Sequence, residues 1–130
     1  MIYNLFLDDN RFPGDVYGYT HKPIYLEKTW KIVRNYDEFV ESIESDGIPD
    51  IISFDHDLSM EHYGVHDHLT QDEYDLYTEK TGYHCAIWLL EYCMDNKLEL
   101  PKIILVHSMN IPGSQNIMSL FNTYKKVYGK

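Results

Sequence analysis

The sequence predicts an α/β fold with a mainly parallel sheet of about four strands. Three short runs, at residues 2–7, 50–54 and 102–106, are apolar or β-branched almost throughout, as is typical of parallel strands covered on both faces. Helical apolar patterns lie between these runs, and strands that alternate with helices favour parallel pairing through right-handed crossovers. A length of 130 residues fits a single domain, residues 1–130, with one hydrophobic core.

The first half of the chain contains two less regular stretches and one clear helix. Residues 10–28 are interrupted by prolines and glycines, so no regular helix is predicted there. Residues 29–33 are a fourth strand candidate, less continuous than the others and therefore placed at the edge of the sheet. Asn35 and Glu38 form a capping-box-like pair, which predicts a helix that ends at Gly47.

Two further helices are predicted in the second half. The first extends from about residue 83 to residue 96, where apolar residues follow a helical spacing. It contains both cysteines, Cys85 and Cys93, and two cysteines do not form a disulfide framework. We therefore expect buried, reduced thiols and a cytoplasmic protein. The last helix opens with the segment 112–114 and continues with apolar residues in the same spacing.

Charge limits the classes of partner. The net charge of −10 gives no broad electrostatic attraction to a DNA duplex or an anionic membrane, although a small phosphate ligand remains possible. No stretch is long and apolar enough for a membrane helix, and the oligomeric state is not predicted. Residues 59–81 carry a net charge of −5 without a core pattern. We interpret this acidic insertion as a lid over the sheet edge or as a solvated loop without a role.

Polar side chains of the kinds used in catalysis follow every predicted strand. The carboxyl ends of parallel strands lie at one edge of the sheet, where ligands bind in open α/β folds. We therefore expect these side chains to form one site. They are Asp8, Asp9 and Arg11 after the first run, Arg34 after residues 29–33, Asp55, His56 and Asp57 after the third strand, and His107, Ser108 and Asn110 after the last.

Four aspartates at one edge predict a cation. Two like charges about 4 Å apart repel by roughly 4 kcal/mol at an effective dielectric of 20, so either some carboxyl groups are protonated or a cation lies among them. Carboxylate oxygens are hard ligands, which favours Mg²⁺ or Mn²⁺. His56 is either a further ligand that favours Mn²⁺ or a partner that orients the ligands.

The segment after the last strand has groups that bind phosphate. Ser108 and Asn110 are hydrogen-bond donors, and Gly113 lies in the first turn of a helix, whose N–H groups favour an anion. Arg11 can bind phosphate through two parallel hydrogen bonds. His107 is a candidate general acid or base because an unperturbed histidine has a pKa near 6.5.

These residues stand in motifs that resemble a known family. The motifs are Leu7-Asp8-Asp9-x-Arg11-x-Pro13, Trp30-x-x-Val33-Arg34, Ser53-Phe54-Asp55-His56-Asp57-Leu58, Thr81-Gly82 before Trp88-Leu89, and Val106-His107-Ser108-x-Asn110-x-Pro112-Gly113. In this order they resemble the cyclic-phosphate processing receiver-domain (cREC) family of small bacterial and phage proteins, which are related to response-regulator receivers.

The resemblance implies a three-layer, receiver-like (flavodoxin-like) fold and a role in processing cyclic phosphates. By position it implies that Asp8, Asp9 and Asp55 bind Mg²⁺, that Asp55 matches the phosphoryl acceptor of receivers, and that Ser108 matches their conserved hydroxyl. Receivers carry a lysine after a fifth strand, whereas this sequence ends with a helix and Lys125-Lys126-Val127-Tyr128-Gly129-Lys130. We therefore expect a sheet without the fifth strand and do not expect reversible phospho-signalling.

The sequence leads to one main hypothesis and two alternatives. The main one is a metal-dependent phosphoesterase that acts on a cyclic nucleotide or an RNA 3′ end with a 2′,3′-cyclic phosphate. Arg11, Arg34 and Ser108 would bind phosphate, Asp57 would act as a support or base, and His107 or His56 would protonate the leaving ribose oxygen. The alternatives are a non-catalytic module that sequesters a nucleotide or a protein partner, and a module regulated by phosphorylation of Asp55.

Overall fold

The computed structural model describes residues 3–58 and 80–128 and confirms the α/β fold. Four strands form one parallel sheet in the order β2-β1-β3-β4. The strands are β1 (Asn4–Leu7), β2 (Lys31–Val33), β3 (Ile51–Phe54) and β4 (Ile103–Val106). The acidic insertion predicted at residues 59–81 lies outside the described residues except for its last two positions.

Five helices are present in the described residues. They are α1 (Pro13–Thr20), α2 (Ile24–Glu27), α3 (Tyr36–Asp46), α4 (Gly82–Asn96) and α5 (Ile111–Tyr128). The three predicted helices are confirmed within two residues at their starts. Cys85 and Cys93 are buried and free on α4, as expected. No helix among the described residues is both long and apolar enough to cross a membrane.

The prediction that residues 10–28 contain no regular helix was wrong, because α1 and α2 both lie there. Pro13 occupies the first turn of α1, where its missing N–H costs nothing and its fixed φ suits the helix. The Asp15 carboxylate accepts a hydrogen bond from the Phe12 backbone N–H at 2.9 Å, which fixes the start of α1. Val16 then anchors the helix in the core, fully buried.

The sheet has helices on both faces because side chains alternate along each strand. Leu5 and Leu7 point to one face, where they pack with residues of α3, α4 and α5. Phe6 points to the other face, where it packs with Val16 of α1 and Tyr25 of α2. These layers agree with a three-layer, receiver-like fold.

One of the two outer strands of the described sheet differs from the sequence prediction. The edge position predicted for residues 29–33 is confirmed by β2. β4, which was predicted to be covered on both faces, is also an edge strand, and Ile103 is 42% exposed. No fifth strand follows β4 among the described residues, where the chain enters α5 directly.

The start of α3 positions Arg34 at the carboxyl edge. The Asn35 side chain accepts a hydrogen bond from the Glu38 backbone N–H at 2.8 Å. Glu38 accepts in return from the backbone N–H of Arg34 at 2.8 Å, one residue before the position expected for a capping box. This exchange ties the end of β2 to the first turn of α3.

Candidate functional site

Three buried side chains meet at the carboxyl edge of the sheet. Asp8 follows β1, Asp55 follows the neighbouring β3, and His107 follows β4. Their relative exposures are 0%, 2% and 2%. One potential ligand atom from each lies within 4.8 Å of the others. We call Asp8, Asp55 and His107 the edge cluster.

Asp8 is held by several donors. Its Oδ1 accepts from the backbone N–H groups of Asn10 at 2.9 Å and Arg11 at 2.8 Å, and its Oδ2 contacts His107 Nε2 at 3.0 Å. The Arg11 guanidinium lies 3.9 Å from Oδ2. Burial by itself raises the pKa of Asp8, but the hydrogen bonds from His107 and the two backbone groups outweigh it and lower that pKa. Asp8 is therefore a carboxylate in the folded protein.

Asp55 differs from Asp8 in that its pKa is raised and not lowered. One oxygen accepts from the backbone N–H of His56 at 2.9 Å, while the buried Oδ2 has no hydrogen-bond partner in the structure. Burial foremost, followed by the negative charge of Asp8, raises the pKa of Asp55 well above its usual value, against a hydrogen bond with Ser108 that lowers it. The nearby charges of Asp57 and Asp9 raise it further. A buried carboxyl oxygen without a partner, next to an ionised carboxylate, is a position that a cation would stabilise.

His107 is enclosed by aromatic and hydroxyl groups. Its ring stacks on Phe6 with the centroids 4.5 Å apart and an interplanar angle of 6°. Its Nδ1 lies 2.6 Å from the Ser53 hydroxyl, which in turn lies 2.8 Å from the Tyr25 hydroxyl. Burial lowers the pKa of His107, against the raising effect of Asp8. His107 is therefore predominantly neutral near pH 7.

His56 lies beside the edge cluster in a second hydrogen-bonded group. Its Nδ1 lies 2.9 Å from Asp57 Oδ1, which also accepts from the Asn110 amide at 3.1 Å. The Asn110 side chain in turn accepts from the backbone N–H of Gly113 at 2.9 Å. A Cβ on Gly113 would lie 2.4 Å from the His56 ring, so this glycine allows the first turn of α5 to approach the histidine.

The two arginines lie at the same edge but make different contacts. Arg11 lies with its guanidinium carbon 5.5 Å from the centre of the Tyr19 ring, and its Nη2 lies 3.2 Å from the Met109 sulfur. Arg34 donates through Nη1 to the backbone carbonyls of Asp8 at 3.0 Å and Arg11 at 2.6 Å. Arg34 thus fixes the loop after β1, while its predicted role in phosphate binding stays a prediction.

Ser108 and the first turn of α5 form the remaining side of the site. The Ser108 hydroxyl accepts from the backbone N–H of Asn110 at 3.1 Å, and it lies close enough to the Asp55 carboxyl group to lower the pKa of Asp55. The Ser114 hydroxyl donates to the Ser108 carbonyl at 3.2 Å. Ser108 is partly exposed, so its hydroxyl lies between the buried Asp55 and the surface.

The sequence reasoning did not identify four residues that shape the site. Ser53 and Tyr25 contact or support His107, Tyr19 donates to the His107 backbone carbonyl at 2.5 Å, and Phe12 packs against Arg34. The one indication in the sequence was Ser53, which is the polar residue in an otherwise apolar strand. The sequence contained no indication of a role for the two tyrosines, because the helices that carry them were not predicted.

The donor set fits a hard divalent cation. Asp8 and Asp55 offer carboxylate oxygens, one of which is buried and without a partner, and Asp9 adds negative charge nearby. His107 is the third potential ligand in the edge cluster, and imidazole is compatible with Mn²⁺ more readily than with Mg²⁺.

The fold and the site together define a class of protein. A parallel sheet with acidic residues at the carboxyl ends of β1 and β3, and a hydroxyl residue after β4, is a receiver-type α/β domain. The family model of the cyclic-phosphate processing receiver domain matches residues 3–123, so the chain belongs to that family. No curated protein and no solved structure matched the chain. The predicted resemblance is thereby confirmed, and the family fits cyclic-phosphate processing in general.

Proposed function

We propose that the protein is a metal-dependent phosphoesterase that opens a 2′,3′-cyclic phosphate on a nucleotide or at an RNA 3′ end. The observation that carries the proposal is the edge cluster, in which the Asp55 Oδ2 is buried without a partner beside the ionised Asp8. The family to which the chain belongs supports the phosphate chemistry.

Asp8 and Asp55 are the residues that would hold Mg²⁺ or Mn²⁺, with Asp9 as a further candidate from the adjoining loop. When bound, such an ion would polarise the phosphate and lower the pKa of a bound water. Asp8 is already ionised through its hydrogen bonds, and the charge of a cation would favour the ionised form of Asp55 as well. Both carboxyl groups would therefore be ionised when such an ion is bound.

Arg11 and Ser108 are the groups that would bind the phosphate oxygens. The Arg11 guanidinium lies beside Asp8, and the Ser108 hydroxyl lies beside Asp55, so the two flank the edge cluster. The predicted contributions of Asn110 and Gly113 are less direct, since the Asn110 carbonyl already accepts from Gly113. These two residues support the first turn of α5, whose N-terminal end favours an anion.

Phe12 supports a nucleoside as the organic part of the substrate. Its ring is 55% exposed in the loop after β1, and the Arg34 guanidinium carbon lies 4.7 Å from the ring centre. Arg34 is itself tied to the Asp8 carbonyl, so the ring is held close to the edge cluster. An exposed aromatic ring fixed from one side is a surface on which a nucleobase stacks.

Histidine supplies the proton for the leaving ribose oxygen in this proposal. His107 and His56 both lie at the carboxyl edge, and each has a carboxylate neighbour, Asp8 and Asp57 respectively. Asp57 contacts the His56 ring through Oδ1, which supports a role in orienting that histidine.

The proposal is tested by incubation of the purified protein with 2′,3′-cyclic AMP, CMP and UMP, with Mg²⁺, with Mn²⁺ and with EDTA. The expected result is metal-dependent release of a 2′- or 3′-monophosphate, seen by chromatography and ³¹P NMR. The variant Asp55→Asn should lose this activity, whereas Glu44→Gln, an exposed acid on α3, should retain it. Absence of turnover with every metal on nucleotides and on RNA ends would contradict the proposal.

A non-catalytic binding module is the second candidate. It is favoured by the internal contacts of His107, whose two ring nitrogens both face groups of the protein. A binding module predicts that a cyclic nucleotide binds tightly and is recovered chemically intact. Equilibrium dialysis followed by chromatography of the recovered ligand separates this candidate from the phosphoesterase.

A further inference from the structure

A buried hydrogen-bonded chain connects the far side of the sheet to the edge cluster. It begins at the Tyr25 hydroxyl on α2, passes through the Ser53 hydroxyl on β3 at 2.8 Å, and reaches His107 Nδ1 at 2.6 Å. His107 Nε2 completes it with the contact to Asp8 Oδ2 at 3.0 Å. All four residues are at most 3% exposed. Water therefore has little access to any link of the chain.

The hydrogen-bond partners determine the direction of this chain. Among the residues that the structure describes, Ser53 is the partner of the Tyr25 hydroxyl, so Tyr25 donates its proton to the Ser53 oxygen. Ser53 then donates to His107 Nδ1, which must be bare in order to accept. The proton of the imidazole ring is therefore on Nε2, which donates it to Asp8 Oδ2 at 3.0 Å.

The opposite direction of hydrogen bonding would leave two buried groups, His107 Nε2 and the Tyr25 hydroxyl, without a suitable partner. A proton on Nδ1 of a neutral ring would leave Nε2 bare, and two acceptors would then face each other at the Asp8 contact. The Tyr25 proton would also have no acceptor among the described residues. Buried polar groups without partners destabilise the folded protein, which excludes this direction.

We propose that Ser53, supported by Tyr25, is a positioning residue that holds His107 as the Nε2–H tautomer, so that His107 donates to Asp8 instead of binding a metal ion or giving up a proton. The stacking of His107 on Phe6 fixes the plane of the ring in the same orientation. His107 thereby aims the Asp8 carboxylate and keeps its Oδ2 in place.

The consequence for catalysis rests on the proposed function. If the Nε2–H group of His107 is hydrogen-bonded to Asp8, the proton for the leaving ribose oxygen must come from His56, the other histidine of the site. His56 contacts Asp57 through Nδ1, and this contact orients the His56 ring at the carboxyl edge.

The tautomer is measured by long-range ¹H–¹⁵N correlation NMR on protein labelled at histidine, near pH 7 and without metal or substrate. The His107 signals are assigned by their loss in His107→Gln. The expected pattern is one protonated nitrogen, Nε2, and one bare nitrogen, Nδ1. A protonated Nδ1 with a bare Nε2, or two protonated nitrogens, would overturn the proposal. This measurement does not depend on whether the protein turns over a cyclic phosphate.

A matched pair of residues provides the control. Tyr3 and Ser42 form a second contact between a tyrosine and a serine hydroxyl, at 3.5 Å, away from the edge cluster. Ser53→Ala should shift His107 toward a mixture of tautomers, and Ser53→Thr, which keeps the hydroxyl, should restore the Nε2–H form. Ser42→Ala should leave the His107 pattern unchanged. A His107 pattern that is the same in Ser53→Ala and in the wild type would contradict the proposal.

Activity provides a second readout if the phosphoesterase is confirmed. Loss of a group that orients a ligand residue lowers activity by about 10- to 100-fold. We expect Ser53→Ala to lower kcat within that range with little change in KM, and Ser42→Ala to change neither. Failure of the wild type to act on any cyclic phosphate would remove the proposed function but not the assignment of the His107 tautomer.

Discussion

Asp55 is the residue at which function and stability oppose each other. Its Oδ2 is buried without a partner, and burial together with the charge of Asp8 raises its pKa. An ionised Asp55 therefore weakens the folded state when no cation is present. Such strain at one residue is typical of a site that is built for a ligand and not for the stability of the free protein.

Asp55→Asn should stabilise the metal-free protein at pH 7. The amide removes the repulsion, and a gain on the order of 1 kcal/mol raises Tm by about 4 °C in a domain of this size. Because the folded-state pKa of Asp55 lies above the unfolded value, the stability that this group contributes is present at low pH and is lost as pH rises through the folded-state pKa. The advantage of Asp55→Asn should thus disappear toward pH 4.

Thermal unfolding in EDTA between pH 4 and pH 8 tests this prediction. Glu44→Gln, at an exposed position of α3, is the control for loss of one negative charge. Equal Tm values for Asp55→Asn and the wild type at pH 7 would show that Asp55 carries no strain.

Phe12→Ala should weaken the binding of nucleotides without a change in the chemical step. Base–aromatic stacking contributes about 1–3 kcal/mol, so KM for 2′,3′-cyclic AMP should rise about tenfold at constant kcat. Leu26→Ala on α2 is the control, because Leu26 is similarly exposed, at 59%. Ribose 2′,3′-cyclic phosphate, which has no base, should not distinguish Phe12→Ala from the wild type. A fall in kcat alone would contradict the stacking role.

At the scale of elements, the start of α4 is fitted closely to the end of β3. The Gly82 backbone N–H donates to the His56 carbonyl at 2.7 Å. A Cβ at Gly82 would lie 1.8 Å from the Asp55 carbonyl oxygen, so only glycine fits there. Thr81 is also tied to the helix, through the contact of its backbone N–H with His84 Nδ1 at 2.9 Å. The first turn of α4 therefore supports the backbone that carries Asp55 and His56.

Gly82→Ala should destabilise the protein by about 3 kcal/mol or more, because the added methyl group meets backbone and not a movable side chain. Gly18→Ala in α1 is the matched control, since a Cβ there meets nothing within 4 Å. It should instead stabilise the protein by about 0.5–1 kcal/mol. Urea denaturation of both variants tests the pair. A similar free energy of unfolding for Gly82→Ala and the wild type would contradict the close fit.

At the scale of the whole molecule, the negative charge is unevenly distributed. Half of the net charge of −10 falls in residues 59–81, and Asp8, Asp9, Asp55 and Asp57 carry four more negative charges. The rest of the chain is close to neutral. Four of the negative charges therefore lie at the carboxyl edge, where a cation would bind, and they do not form a general barrier to a small phosphate ligand once a cation compensates them.

Mg²⁺ or Mn²⁺ should stabilise the folded protein through the edge cluster. A ligand at 100 times its Kd adds about 2.7 kcal/mol to the free energy of unfolding. We expect Tm to rise with the concentration of either ion, in comparison with KCl at equal ionic strength. Glu44→Gln should retain the rise and Asp55→Asn should lose it. An equal rise in Asp55→Asn would place the binding of the ion elsewhere in the chain.

The amino-acid sequence by itself determined the order of the four strands and of three of the helices, and the edge at which the site forms. Apolar runs and helical spacings are local patterns, and the carboxyl ends of parallel strands meet by geometry, so Asp8, Asp55 and His107 were expected together. The motifs also identified the family, which the match to residues 3–123 confirmed. The functional roles of these residues stay predictions.

Only the tertiary structure decided how the site residues are partnered. The Tyr25–Ser53–His107 chain joins α2, β3 and the end of β4, which are distant in sequence, so no local pattern reveals it. The same holds for the use of Arg34 on backbone carbonyls and for the buried Asp55 oxygen without a partner. Hydrogen bonding and desolvation depend on what surrounds a group in space, whereas the sequence records only which groups are present.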